Sequence, residues 1–341
     1  MNNEQTSSKL VKLDSSVQFV RRQNTLLLVS GSGATVRVSP GAEPLIPSME
    51  KGTPYDDLVD ILAKKHPNVP NVNPTLNKFL AQLSKSQILE SDSEEDGAVK
   101  KPRKKRKYEL MDPDPLAKSI AGAIQKVPAP ITWGILAIMM IASIVGAVML
   151  PSYTKILHPS MVASSFNIVA FLIFLLVIVP IHEAGHAIAC RLVGSKVSGA
   201  GIILHGGIIP GPYVETTKAY SLKKKSHRFW IPAAGPIINL CSAGLMAWII
   251  ILSPQLSPYA LEVLVYIFIL SMLFVYLDTN PFTASDGSHM LEALLDDELA
   301  RRSAFSKQAS ALSDKAGLAI YKRVSVAHLL LAIVTLIYWW Y

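Results

Sequence analysis

The sequence predicts a polytopic α-helical membrane protein, with about five transmembrane helices and a small soluble α+β, winged-helix-like domain at its N-terminal end. Three observations predict it. Half of the 341 residues are apolar, and after residue 130 they gather into runs of about 20, the length that crosses a bilayer. Residues 15–90 instead break short apolar stretches with Gly, Pro and Asn, as soluble domains do. Between the two, residues 91–107 are acidic and then basic. The expected division is therefore 1–90 for the soluble domain, 91–130 for a charged linker and 131–341 for the membrane domain.

In chain order, residues 1–14 are polar. Thr25–Val29 and Thr35–Val38 read as two strands around the tight-turn sequence Ser30-Gly31-Ser32-Gly33, which predicts a hairpin. Thr53-Pro54 opens a helix through about Lys65, with Leu58, Ile61 and Leu62 on one face. Pro67 and Pro70 break it, and Asn73-Pro74 opens a second helix along which Leu76, Phe79, Leu80 and Leu83 keep the helical period. Ile88-Leu89 closes the unit. The net charge of +8 is concentrated in the run from Lys100 to Lys107. With a membrane anchor close behind, that run fits contact with anionic lipid headgroups or a topology signal. A DNA-binding reading needs a basic recognition helix, and 73–85 carries only Lys78 and Lys85, so no nucleic acid is expected.

Five spans are expected at 132–150, 165–190, 230–252, 259–278 and 325–341. The loops 191–229 and 287–324 are rich in Lys and Arg, whereas 151–164 holds only Lys155 and 253–258 holds none. The positive-inside rule then places the N-terminus in the cytoplasm and the C-terminus outside, as expected for a bacterial plasma membrane protein. The N-terminus lacks the apolar core of a signal peptide, so targeting is expected from the internal spans. Two cysteines, Cys190 and Cys241, imply no disulfide framework. Trp339, Trp340 and Tyr341 read as an interfacial aromatic anchor. The sequence shows no internal repeats and no signal for an oligomeric state.

The second span contains His182-Glu183-Ala184-Gly185-His186. Ionisable groups at membrane depth are costly and mark function. Histidines at i and i+4 share one helix face and can bind one metal ion, with Glu183 beside it to take a proton from water. The plain alternative, a solvated or core-satisfied histidine pair, fits poorly among Val, Pro, Ile and Ala flanks in lipid. Pro180 is expected to kink the span just before the pair. A catalytic zinc takes three protein ligands and keeps one position for water. The third ligand should come from a span that ends on the same side. The fourth span ends in Asp278-Thr279-Asn280-Pro281-Phe282-Thr283-Ala284-Ser285-Asp286-Gly287. Asp286 is the candidate there, and Asp278 reads as a helix-terminal residue at the interface.

The pattern HEAGH, then Gly235-Pro236-Ile237-Ile238-Asn239, then Asn280-Pro281 with Asp286-Gly287, resembles the site-2 protease family of intramembrane zinc metalloproteases. The resemblance covers about residues 165–295. The NPFTASDG form is most similar to the peptide zinc metalloprotease branch, although Ser288-His289 stand where that branch has aromatic residues. The resemblance implies a site-2-protease-like core holding Zn2+ on His182, His186 and Asp286. It implies Glu183 as the general base and Asn239 as a polar group near the scissile carbonyl. The implied substrate is a peptide precursor or a single-span membrane protein, cut within the lipid bilayer. Residues 15–90 are similar to the peptide-binding domain typified by PqqD. The Gly-rich segment from Gly199 through Gly206-Gly207 to Pro210-Gly211-Pro212 follows the metal helix. It is expected to pair with an unwound substrate as an added strand.

Competing readings are a non-proteolytic membrane protein for peptide binding, export or immunity, and a membrane-tethered DNA-binding regulator. The intact HEAGH and Asp286 argue against the first, and the sparse charge of 73–85 against the second. His205 and His289 are further polar candidates near the site, each more often a plain interfacial residue. Gly235 reads as a helix-packing position.

Overall fold

The computed structural model describes residues 10–22, 25–31, 34–67, 69, 71–90, 107–153, 166–205, 209–305 and 314–340. The linker 91–106 with nearly all of its basic run, Ser32-Gly33 of the hairpin turn, Gly206-Gly207 and Tyr341 lie outside the described residues. The chain forms two compact units divided between residues 105 and 106.

The first unit is a small α+β domain. Its elements are β1 (Leu10–Val11), β2 (Gln18–Arg22), β3 (Thr25–Val29), β4 (Thr35–Val38), α1 (Ile46–Lys51), β5 (Thr53–Pro54), α2 (Tyr55–Lys65) and α3 (Asn73–Lys85). The expected hairpin is β3–β4, with Val29 opposite Thr35. The sequence reading missed β2, which pairs along the other side of β3. Its apolar pair Phe19-Val20 does not alternate, and only Val20 is buried. Leu28, Val36, Met49, Leu58, Leu76, Leu83 and Ile88 form a closed core. A backbone bridge between Leu13 and Leu89 ties the two ends of the unit together.

The second unit begins inside the expected linker. It comprises β6 (Lys107–Met111), α4 (Asp114–Gln125), α5 (Ala129–Met149), α6 (Ile168–Ile173), α7 (Val179–Leu192), β7 (Ala200–His205) and β8 (Ile209–Val214), then α8 (Lys225–Leu252), α9 (Pro258–Asp278), α10 (Asp286–Leu295), α11 (Ala300–Phe305) and α12 (Lys315–Trp340). Among the described residues five helices are long and apolar enough to cross a membrane: Ala129–Ser152, Ile168–Leu192, Lys225–Leu252, Pro258–Asp278 and Lys315–Tyr338. The last starts at Lys315, ahead of the expected 325, because Lys322 and Arg323 lie on its first turns rather than in a loop.

Residues 107–125, expected to be linker, are structured for two reasons. The β6 strand pairs with β7, and α4 buries Ala117 and Ala121 against the α7 side of the bundle. Asp114 fastens α4. Its carboxylate accepts from the backbone N–H of Val197 at 3.0 Å and from the Arg191 guanidinium. Burial pushes the Asp114 carboxyl up, but the bonds from Arg191 and Val197 together with the charges of Arg191 and Lys196 outweigh it and hold the group below its ordinary value.

The sheet order is β6-β7-β8. Glu215 exchanges both backbone hydrogen bonds with the Gly199 neighbourhood, so in the continuous register Val214, Pro212 and Pro210 turn their backbone groups away from β7. Proline is tolerated here because these positions have no ladder N–H to lose. The outer edge of β8 consequently offers three carbonyls but an N–H only at Val214.

The helix that carries His182 and His186 is α7. A π-helical turn, Phe174–Ile178, joins α6 to it, directly before Pro180. A proline cannot donate to the i−4 carbonyl and its ring presses on that carbonyl, and a π turn relieves both. The expected kink therefore takes this form. At the centre of the unit, α8 packs against α5, α7, α9 and α10.

Candidate active site

Two elements converge on one point. His182 and His186 stand one turn apart on α7, both buried. Asp286 is the first residue of α10. The Nε2 atoms of the two imidazoles are 3.2 Å apart. Asp286 Oδ2 lies 3.5 Å from His182 Nε2 and 3.4 Å from His186 Nε2. Among the described residues these three form the metal-capable group of His, Cys, Asp and Glu side chains.

The triangle can be tested against a metal ion. A tetrahedral zinc about 2.0–2.1 Å from each donor separates its ligands by about 3.3–3.4 Å. The observed sides match that spacing. The proton positions fit as well. His186 Nδ1 donates to the Ile231 carbonyl at 2.8 Å, so in the neutral ring Nε2 presents its lone pair toward Asp286.

Helix α8 forms the wall behind the histidines. Gly235 faces them so closely that a methyl group there would lie 2.5 Å from His182 Nε2 and 2.6 Å from His186 Nε2. The packing position read in the sequence is thus a position against the two histidines. One turn along the same face, Asn239 is fully buried. Its Nδ2 donates to Asp278 Oδ2 at 2.8 Å, and its Oδ1 is buried without a hydrogen-bond partner among the described residues.

The structure differs from the sequence reading at Asp278. This carboxylate does not stand apart at an interface. Its Oδ2 lies 3.6 Å from His182 Nδ1. Asp278 and Asp286 therefore face opposite nitrogens of one ring, and only Asp286 shares the Nε2 side with His186. The signal for this was present in the sequence, because a carboxylate ending an apolar span is costly unless it has a partner.

Asp286 is held by the turn that precedes it. Asn280 Oδ1 accepts from Phe282 N at 2.9 Å, and Ser285 Oγ donates to the Asn280 carbonyl. Ser285 and Ser288 cap α10 reciprocally, each side chain accepting the other's backbone N–H. The departure from the branch pattern at Ser288 thus has a local role. Tyr321, fully buried on α12, donates to the Pro281 carbonyl at 2.7 Å. Gly287 packs on the Thr279 backbone with no room for a side chain.

Glu183 follows His182 on α7 and is half-buried beside the triangle. The outward-facing N–H of Val214 on β8 faces its carboxylate. The sequence gives no hint of this contact, since it comes from strand register. His289 lies one turn beyond Asp286, and its Nδ1 pairs with the buried Glu292 at 3.0 Å, outside the metal-capable group. His205 ends β7, and its side chain lies outside the described structure.

A family model described as Peptidase family M50 matches residues 170–259. The match takes in His182, Glu183, His186, Gly235 and Asn239 and stops before Asp286. A protein of Methanocaldococcus jannaschii, described as uncharacterized, is 36% identical over 69 residues, covering 20% of this chain and 19% of its own. The chain thus spans about one fifth of the length of that curated relative. No solved structure matches the chain.

Proposed function

We propose that the chain is an integral membrane zinc endopeptidase that cuts a peptide precursor or a single-span membrane protein inside the bilayer. The observation that carries this reading is the donor triangle of His182, His186 and Asp286 with Glu183 beside it, the histidines and Glu183 lying on an apolar span. The match to Peptidase family M50 over the same helices supports it. The N-terminal unit would face the cytoplasm and select the peptide, as a PqqD-like, winged-helix-like domain could, and the C-terminus would lie outside.

Zinc on these three ligands would polarise the scissile carbonyl and acidify the attacking water. Glu183 takes the proton of that water on a carboxylate oxygen and delivers it to the leaving amine nitrogen. The Val214 N–H faces that carboxylate and favours its charged form. Gly235 keeps α8 close enough to exclude bulk water from the two imidazoles, and the low dielectric strengthens each electrostatic contact.

A helical substrate must unwind before it is cut. The outer edge of β8 can receive it as a strand. Because Pro210 and Pro212 lack N–H groups, that edge accepts hydrogen bonds from the substrate backbone and returns almost none. Replacing β7 and β8 by a short linker should abolish cleavage, and retained cleavage would refute strand pairing.

The test of the function is comparative peptidomics of membranes and medium from native cells making the wild type or Glu183→Gln at equal levels. A peptide or fragment present only with the wild type establishes proteolysis and names the substrate. Identical profiles in cells that express the protein would count against the catalytic reading.

A further inference from the structure

We propose that Asp278 and Asn239 form a positioning pair for His182, in which Asp278 accepts the Nδ1–H of His182 in the loaded site and Asn239 holds Asp278 in place. This rests on the zinc-binding reading above.

The two metal-facing histidines are oriented differently. His186 has a backbone anchor, the Ile231 carbonyl 2.8 Å from its Nδ1. Among the described residues His182 has no equivalent, and its Nδ1 is buried without a hydrogen-bond partner. With Nε2 of His182 turned toward Asp286, the ring proton must sit on Nδ1. A buried N–H requires an acceptor. The carboxylate facing it is Asp278, whose Oδ2 is 3.6 Å away. That is too far for a hydrogen bond, but a turn of the ring or the carboxylate by about 0.7 Å reaches ordinary N–H···O distance. A metal drawing on Nε2 makes Nδ1–H a stronger donor and favours that closure.

Asn239 supplies the second half of the argument. It is fully buried on α8, and an amide there gives the Asp278 carboxylate a donor at 2.8 Å without adding charge. The same Oδ2 therefore lies between Asn239 Nδ2 and His182 Nδ1. A residue that merely linked α8 to α9 would not need its acceptor aimed at the back of a ligand ring. The arrangement joins three spans through one carboxylate, and its output is the orientation of one ligand.

Carboxylates behind ligating histidines typically change metal affinity by about 10–100-fold when removed. The experiment uses the full chain in detergent, with zinc affinity measured by competition against a chromogenic chelator. Asp278→Asn, Asn239→Ala and the double variant are compared with wild type, and thermal unfolding is recorded for each. Asp278→Asn should weaken zinc binding by about 10–100-fold. Asn239→Ala should weaken it less, and the double variant should be no worse than Asp278→Asn alone, because both act through one ring. Loading with Co2+ should give visible bands that shift in Asp278→Asn. Asn239→Ala supplies the same test should Asp278→Asn fail to fold. Lowered thermal stability with unchanged zinc affinity and an unchanged Co2+ spectrum would make the pair an interhelical link only and overturn the proposal. A wild type that binds no zinc would overturn the proposed function as well, whereas wild-type binding matched by both variants would overturn only this inference.

Discussion

Gly235→Ala is the smallest change that should destroy the site. The added methyl would sit 2.5 and 2.6 Å from the two imidazole Nε2 atoms, and ordinary contact begins at 3.4 Å. The rings or α8 must therefore move by about 0.8–0.9 Å, while zinc sites tolerate errors of about 0.2 Å in ligand distance. The displacement is several times the tolerance, so the triangle cannot keep its spacing and hold the methyl too. A misplacement of about 1 Å costs on the order of 100-fold in rate even when the groups remain present. Zinc per chain, measured by elemental mass spectrometry after purification in chelated buffer, should fall from about one, the single-ion occupancy of such a site, to near zero. The same preparations are checked by circular dichroism and thermal unfolding, because alanine favours a helix over glycine by roughly 0.5–1 kcal/mol and the fold should survive. Gly235→Ala protein that keeps full zinc content would show that the histidines do not hold the metal in the arrangement described.

Other variants separate the remaining parts. Asp286→Asn should lower zinc affinity by more than about 100-fold, exceeding any change made behind the ligands, as read by the same chelator competition. Gly287→Ala drives a methyl into the Thr279 backbone; it should cost about 1–3 kcal/mol of stability, seen as a lower unfolding temperature together with loss of zinc. Asp114→Asn should cost about 1 kcal/mol at neutral pH through the contacts with Arg191 and Val197. Since the folded carboxyl is held below its ordinary value of 3.8, its contribution is complete above that value and disappears as pH falls through the folded value. The gap in unfolding temperature between wild type and Asp114→Asn should accordingly be widest at neutral pH and close in acid.

The sequence revealed whatever rests on local pattern. Apolar runs located the spans, and Pro54, Pro67 and Pro74 bracketed α2 and α3 of the first unit. The i, i+4 spacing placed His182 and His186 on one face. Asp286 was reachable because α9 had to end on the histidines' side. What the pattern missed depends on contacts distant in sequence. Residues 107–125 look like linker until β7 pairs with β6 and Arg191 meets Asp114. The start of α12 was placed late because Lys322 and Arg323 suggested a loop, although helix ends carry such residues readily. Asp278 was read alone, and only the packing of α9 on α8 shows it between Asn239 and His182. The approach of the Val214 N–H to Glu183 arises from which way one strand edge turns, and two prolines in that strand obscured it.

The central claim, that His182, His186 and Asp286 together hold a catalytic zinc, is tested most directly by zinc-edge X-ray absorption on the purified full chain, recorded for wild type and Asp286→Ala. The account predicts nitrogen and oxygen donors at about 2.0–2.2 Å, with an imidazole contribution from two rings, and loss of that signal in Asp286→Ala. A wild-type spectrum showing sulfur at about 2.3 Å, or one unchanged by Asp286→Ala, would contradict it.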